Sequence, residues 1–373
     1  MKKEKINFGN FDPNKIKLIN MTPIGRSSSV FIQGLLDGHS EIITLPGFFY
    51  IKDEDFKGLS FKIIVDNLHK RIEYYFKSLL GKSNLNEVFP KNFLYKYLKE
   101  YVESFGLDKK TLFIGTHYAY AKYSRKNIEE IRYILAHTHT LLNTFEFAKL
   151  FPNLKIIFTL RDPRANYESC LKNKQSPITI FFTQYNHYIL YKKLIKKKRK
   201  NIIVIKHEEL HENYPKIKKE LINFLNIKDE KILDSATFFN QPFYGMKGGP
   251  KSSTNIYLDK PNPNFNNKFW KEGLSTSEIK FIQLTFSGLM KTFNYKKIKS
   301  FEPLSVRVSG ELYKTISLVE IEKKKGFRKK LTILARLIYK IPLIGLPIIK
   351  IFIFFNIFGR FSKELIKIKL SRF

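Results

Sequence analysis

The sequence has a single cysteine, Cys170, among its 373 residues. One thiol cannot form an internal disulfide and cannot supply the thiolate cluster of a structural zinc module. A disulfide-stapled secreted fold and a Cys-rich zinc domain are therefore excluded. The first ten residues contain lysines with no apolar run behind them, so we expect no signal peptide.

Acidic residues are also scarce. The chain has 33 Asp and Glu against 67 Lys and Arg, a formal net charge of +34. We therefore expect the partner or substrate to be anionic. Hydrophobic residues at 43% and aromatic residues at 15% are more than a disordered chain contains, so the chain folds.

Short apolar runs alternate with helical patterns along the chain. The runs contain mostly Ile, Leu, Val, Phe or Tyr without polar alternation, which is typical of strands covered on both faces of a parallel sheet. They lie at 16–21, 41–45, 132–136, 155–160 and 201–205, and helices are predicted at 140–150, 163–172 and 214–226. The pattern predicts an α/β fold, a P-loop-like doubly wound parallel sheet flanked by helices.

The composition changes near residue 300, so we predict a domain over 1–300 and a helical tail over 301–373. The tail has a basic stretch followed by an apolar stretch that Pro342, Pro347 and Lys350 interrupt. This favours an interfacial element, with peripheral membrane contact through 323–373. A terminal helix packed on the domain is the alternative. The basic run 191–200 comes without any nucleic-acid-binding signature, and we expect no nucleic acid partner.

A first candidate site lies in the loop between the first strand and its helix. Small residues there let backbone N–H groups converge on an anion at a helix N-terminus, and an arginine and hydroxyls add donors. The residues are Gly25, Arg26, Ser27, Ser28 and Ser29, and the three serines are expected to cap the helix. The spacing does not match a Walker A loop. A serine-rich cap beside an exposed arginine is the alternative.

A second candidate site follows the strand at 155–160. Asp162 is suited to the helix N-cap and Pro163 to the first helical position. Arg161 is then expected at the carboxyl edge of the sheet, where open α/β folds bind ligands. Ser169 lies two turns into the helix and is expected to point back at the same ligand. The alternative is an ordinary helix start, with Ser169 facing a neighbouring helix.

These two segments resemble the sulfotransferase family that uses 3′-phosphoadenosine 5′-phosphosulfate (PAPS), in its bacterial-type or carbohydrate-like branches. The resemblance implies that the first loop holds the 5′-phosphosulfate and that Arg161 and Ser169 hold the 3′-phosphate. A third segment, Ala-His-Thr-His-Thr at 136–140, is similar to the family's strand end that carries a histidine base. It implies His139 as general base, with His137 as the rival or as a contact to the sulfuryl oxygens.

Further residues have open interpretations. Two histidines at a strand end also suggest a metal pair, but no third ligand is evident and no metal is expected. His117 is a weaker acceptor-site candidate or part of an aromatic packing patch. Lys247 and Lys251 resemble the family's late loop over the nucleotide, although the adjacent Gly-Gly-Pro is also an ordinary turn signal. Trp270 either stacks on adenine or belongs to the core.

The expected function is transfer of a sulfuryl group from PAPS, the co-substrate, to a hydroxyl or amine. The acceptor is a glycan, a glycolipid or another lipid or small molecule. We expect a cytoplasmic location, with the tail at the cytoplasmic face of a membrane. The alternative is a non-catalytic polybasic protein that binds lipid or nucleic acid on the same scaffold.

Overall fold

The computed structural model describes residues 6–80, 84–138, 141–172, 188, 199–239, 241–243, 260–266, 270–274 and 276–298. The chain divides into two compact units. The first contains residues 1–161 and 189–267, and the second contains residues 162–188 and 268–373. The tail predicted over 301–373 lies outside the described residues.

The first unit contains a five-stranded sheet in which every neighbouring pair is parallel. The strands are β1 (Lys17–Pro23), β2 (Ile42–Thr44), β3 (Tyr133–His137), β4 (Lys155–Leu160) and β5 (Ile202–Lys206), in the order β2-β3-β1-β4-β5. A small antiparallel pair joins β6 (Thr237–Phe238) to β7 (Gln241–Pro242). Each of the five predicted strands is present, β4 with the predicted bounds and the other four with bounds shifted by one or two residues.

The described α-helices follow the predicted alternation. They are α1 (Ser29–Leu36), α2 (Phe61–Leu80), α3 (Lys91–Phe105), α4 (Lys109–Tyr123), α5 (Leu141–Leu150), α6 (Pro163–Lys172), α7 (His207–Glu212), α8 (Tyr214–Leu225), α9 (Trp270–Gly273), α10 (Thr276–Thr285) and α11 (Ser287–Thr292). Of these, α6 and α9 to α11 belong to the second unit. No described helix is both long and apolar enough to cross a bilayer.

Successive residues of a strand pack into different cores. Leu18 belongs to a cluster with residues of α2, α3 and α4, whereas its neighbour Ile19 packs in a cluster with residues of α1 and α8. Ile156 and Ile157 divide in the same way. Because side chains alternate between the two faces of a sheet, apolar strands without polar alternation require helices on both sides. The predicted doubly wound parallel sheet is therefore confirmed.

In the second unit, α6 begins as the sequence predicts. The carboxylate of Asp162 accepts a hydrogen bond from the backbone N–H of Arg164 at 2.9 Å, and Pro163 is the first helical residue. The buried Arg164 guanidinium bonds both oxygens of Asp162 and the side chain of Gln283, and it lies 4.1 Å from the ring centroid of Trp270. Trp270 is thus a buried core residue of this unit.

Candidate active site

The sheet order places the topological switch point between β1 and β4. From β1 the chain passes through α1 to β2 on one side of the sheet, whereas after β4 it continues to β5 on the other side. Adjacent parallel strands whose connections diverge leave an opening at their carboxyl ends, where ligands bind in open α/β folds. Arg26 lies just beyond β1 and Arg161 just beyond β4. His137 ends β3, the other neighbour of β1.

The loop after β1 is attached to β4 by two hydrogen bonds. The backbone N–H of Ile24 donates to the carbonyl of Thr159 at 2.8 Å, and the hydroxyls of Ser27 and Thr159 lie 2.6 Å apart. Within this loop Arg26 and Ser28 both have φ of 63°, in the left-handed region that costs a non-glycine residue about 1–2 kcal/mol. The hydrogen bonds to Thr159 hold the loop against that strain.

The predicted capping of α1 by serine hydroxyls is wrong for the N-cap residue, Ser28. An N-cap side chain reaches the helix N–H groups from an extended backbone, but Ser28 has φ 63° and ψ 19° and accepts no hydrogen bond from them. Its hydroxyl instead lies 2.6 Å from Nδ1 of His207 and 3.1 Å from Nε2 of His211, both on α7.

The proton positions in this cluster are fixed by the backbone groups at its two ends. The N–H of Asn262 lies 3.1 Å from Nδ1 of His211, which must therefore be the unprotonated nitrogen. The proton on Nε2 of His211 is then donated to Ser28. The Ser28 hydroxyl donates in turn to Nδ1 of His207, whose Nε2–H donates to the carbonyl of Phe265 at 3.3 Å. Both imidazoles are neutral and carry their proton on Nε2.

Burial and a nearby guanidinium maintain this neutral state. Burial, the larger influence, and repulsion of the charged form by Arg161 together lower the pKa of His211 to about 4. The pKa of His207 is held well below its ordinary value by burial first, then by Arg161 and His211. The positive charge of Arg161 therefore opposes protonation of both rings.

His207 and His211 were not among the predicted site residues. The signal present was a pair of histidines at i and i+4, in His-Glu-Glu-Leu-His, which also matches the zinc-peptidase pattern of a metal-binding helix. All four ring nitrogens bond protein groups within 3.3 Å. The part of the chain that the structure describes contains no group of three side chains able to hold a metal ion.

His137 is buried at the end of β3 with a tautomer that Gln33 determines. The Gln33 amide donates from Nε2 to the carbonyl of Leu45 at 2.8 Å, which identifies its other atom, Oε1, as an acceptor. That oxygen lies 3.2 Å from Nδ1 of His137, so Nδ1 carries a proton and donates it to Gln33. The Phe48 ring packs against the imidazole in an edge-to-face arrangement, with centroids 4.5 Å apart.

A buried polar cluster supports the segment after His137. Asn20 donates to the hydroxyls of Thr22 and Thr144 at 2.9 and 3.1 Å and accepts from Thr138 at 3.0 Å. Thr138 and Thr144 are themselves 3.1 Å apart. Because a buried polar group without a partner is costly, this mutual pairing fixes the chain that leaves β3 and the helix α5 that follows.

The other predicted site residues lie at the start of α1, on α6 or outside the described residues. Gly25 and Arg26 are half-buried, and Ser29 is buried at the first position of α1. Ser169 is half-buried on α6, within the second unit. His139, Lys247 and Lys251 lie outside the described residues.

His117 is fully buried in α4. Its Nδ1 bonds the carbonyl of Phe113 at 2.8 Å, and its ring packs on Phe49 and Phe113. Burial lowers its pKa to about 4. The described surroundings are those of the aromatic packing patch.

Comparison with solved structures returns several sulfotransferases. They include a sulfotransferase domain from the curacin biosynthetic pathway, with 17% identity and a TM-score of 0.41, covering 76% of this chain and 99% of that one. A sulfotransferase domain of the Synechococcus PCC 7002 olefin synthase has 17% identity and a TM-score of 0.43, covering 79% and 99%. Retinol dehydratase in complex with androsterone and the inactive cofactor PAP has 11% identity and a TM-score of 0.32, covering 76% and 82%.

At these values the matches do not assign an activity to the chain. No family model matches the sequence. No curated protein matches it at a significant level.

Proposed function

We propose that this protein transfers a sulfuryl group from PAPS to a hydroxyl or amine of an acceptor. The observation that supports this most directly is the placement of Arg26 and Arg161 beyond two adjacent parallel strands, β1 and β4, with His137 at the end of β3. Two cations at one sheet edge suit a ligand with two anionic ends. An imidazole beside them suits a reaction that must remove a proton.

The donor would be held by the two strand ends. Backbone N–H groups at the start of α1 and the Arg26 side chain would bind the 5′-phosphosulfate. Arg161 would bind the 3′-phosphate, and Lys247 and Lys251 would add contacts from the late loop. The formal net charge of +34 also attracts anionic ligands to the protein.

The reaction requires a base that removes a proton from the acceptor and hydrogen-bond donors that stabilise the leaving phosphate. A neutral His137 that donates its Nδ1 proton to Gln33 would have an Nε2 lone pair able to take a proton from a hydroxyl. His139, two residues on, remains the base that the family resemblance implies. Sulfuryl transfer forms a bond from the acceptor to sulfur and breaks the bond from sulfur to the phosphate oxygen. Arg26 and the loop N–H groups would stabilise the charge that grows on that oxygen.

We further propose that the acceptor is a glycan or lipid-linked sugar hydroxyl. PAPS is an intracellular donor, and an apolar tail at 323–373 would bring the enzyme to acceptors at the cytoplasmic face of a membrane. Mass spectrometry of cell extracts with and without the protein tests this, since a true acceptor gains the mass of one SO₃ group.

Thermal denaturation in the presence of PAP, the desulfated product of PAPS, tests the donor. A ligand that binds only the folded state raises the melting temperature with concentration. We expect this rise in the wild type and its loss in Arg161→Ala, whereas Arg125→Ala, at an exposed arginine after α4, keeps it. His137→Ala and His139→Ala should retain the PAP response, and the one that carries the base should lose transfer.

Two results would reject the proposal. One is full transfer activity in both Arg161→Ala and the double variant of His137 and His139. The other is salt-sensitive binding to lipid or nucleic acid with no stabilisation by PAP, which would indicate a non-catalytic polybasic protein.

A further inference from the structure

The two imidazoles of α7 connect three separate segments of the first unit. Ser28 belongs to the loop after β1, and His207 and His211 belong to α7. The series of hydrogen bonds through these three residues ends at backbone groups of residues 262 and 265. We propose that His207 and His211 are positioning residues. They hold Ser28 in its left-handed conformation and tie the donor loop to the segment 260–266. The inference deepens the proposed function, on which it rests for the identity of the anion.

Neither imidazole has a nitrogen available to bind PAPS. His207 uses Nδ1 for the Ser28 hydroxyl and Nε2 for the carbonyl of Phe265, and His211 uses Nε2 for Ser28 and Nδ1 for the N–H of Asn262. A ring whose two nitrogens are already bonded within the protein cannot bind an anion without breaking one of those bonds. Their contribution is therefore to the shape of the loop.

Packing restricts the rings to this arrangement. The His211 ring stacks on Phe31 of α1 at 5.5 Å between centroids and meets the edge of Phe265 at 5.3 Å, and the two imidazoles lie 4.6 Å apart. Phe31 is on the helix that Ser28 begins. Together, His207 and His211 thus contact Ser28, the helix α1 and the segment 260–266.

The hydrogen bonds act against a conformational cost. Left-handed φ is unfavourable for serine, and two hydrogen bonds to the Ser28 hydroxyl hold the residue there. Every hydrogen-bond donor in this series meets an acceptor only while both rings are neutral, because a protonated His211 cannot accept the N–H of Asn262. Arg161 is the charged group that acts on both rings, and it favours the neutral form.

Histidine NMR on the full-length, ¹⁵N-labelled protein tests the arrangement without reference to catalysis. At pH 7 both residues should show the neutral tautomer with the proton on Nε2, and Ser28→Ala should shift the Nδ1 resonance of His207. Assignment by single substitution identifies each signal. Charged rings, an Nδ1–H tautomer at either residue, or no change in Ser28→Ala would overturn the proposal.

Matched substitutions test the consequence for the loop. His207→Asn keeps an acceptor for the Ser28 hydroxyl and His211→Gln keeps a donor to it, whereas His207→Leu and His211→Leu keep neither. Measured by calorimetric titration with PAP, the leucine variants should bind about tenfold more weakly than the wild type, as expected for a lost buried hydrogen bond. The amide variants should stay within about threefold.

The two proposals fail in different ways. If the wild type does not bind PAP, the donor assignment fails, and the tautomers and the Ser28→Ala shift still decide the positioning role. If the wild type binds PAP and the leucine variants, folded by circular dichroism, bind it equally well, the positioning role is refuted while the donor assignment stands.

Discussion

The hydroxyls of Ser27 and Thr159 lie 2.6 Å apart, and both side chains are buried. Thr159 also accepts the backbone N–H of Ile24 at 2.8 Å, so one residue of β4 bonds the loop after β1 through its side chain and its backbone. Arg161 follows two residues later. The contact therefore sets the spacing between the two strand ends that carry the candidate anion-binding arginines.

Ser27→Ala and Thr159→Val should each lower the free energy of unfolding by about 1–2 kcal/mol, because each leaves a buried hydroxyl without its partner. The double variant should lose about 1 kcal/mol less than the sum of the single losses, since the pair is broken only once. Urea denaturation of all four proteins measures this coupling. Strictly additive losses would show that the two hydroxyls act independently.

Substitution at Ser28 separates backbone strain from hydrogen bonding. Ser28→Ala keeps the left-handed strain and removes the hydrogen bonds to His207 and His211, so we expect a loss of about 2 kcal/mol in unfolding free energy. Ser28→Gly removes the same bonds but relieves about 1 kcal/mol of strain. In chemical denaturation the wild type should be the most stable, the glycine variant intermediate and the alanine variant the least stable. An alanine variant as stable as the glycine variant would show that the left-handed backbone of Ser28 is not strained.

Gly47 and Gly58 provide a matched pair, since both have φ of +72°. Gly58→Ala meets nothing within 4 Å and should cost about 1 kcal/mol from strain alone. At Gly47 an added Cβ would lie 2.6 Å from the Tyr75 ring, and Gly47→Ala should cost about 3 kcal/mol in total. Melting curves of both variants test this difference. Equal losses would mean that the Tyr75 ring moves aside freely.

Stability should decline as the solution is acidified from pH 6.5 to pH 4, partly because of His117. The pKa of His117 in the folded protein is about 4, below the ordinary value of 6.5, so in this window the unfolded chain binds a proton that the folded chain excludes. The contribution is complete above pH 6.5 and falls with pH. His117→Gln should lose up to about 3 kcal/mol less than the wild type between pH 7 and pH 4. Parallel stability curves for the two proteins would rule out this titration.

The sequence predicts the sheet and the start of α6 because local signals determine both. Buried apolar runs identify β3, β4 and β5, and Asp162 with Pro163 places the beginning of a helix within one residue. The hydrogen bond between Ser28 and His207 spans 179 positions, and no local pattern encodes such a contact. The capping prediction was wrong for the same reason, because distant imidazoles hold the Ser28 hydroxyl.

The Nδ1 proton of His137 is a second feature that could not be predicted from the sequence. The pattern 136–140 identifies a histidine pair at a strand end, but which nitrogen carries the proton depends on Gln33, a residue 104 positions away. That glutamine is itself oriented by the carbonyl of Leu45. Chemistry at a strand end can be proposed from sequence, whereas its proton positions follow only from tertiary contacts.

The central position of β1 has a consequence for synthesis on the ribosome. Both of its neighbours, β3 and β4, come more than 100 residues later in the chain. At roughly 5–20 residues per second, the apolar segment 18–21 emerges first and stays without a pairing strand for on the order of ten seconds. The nascent chain therefore exposes this central strand for longer than the other strands of the sheet, and chaperone binding during translation is expected to concentrate there.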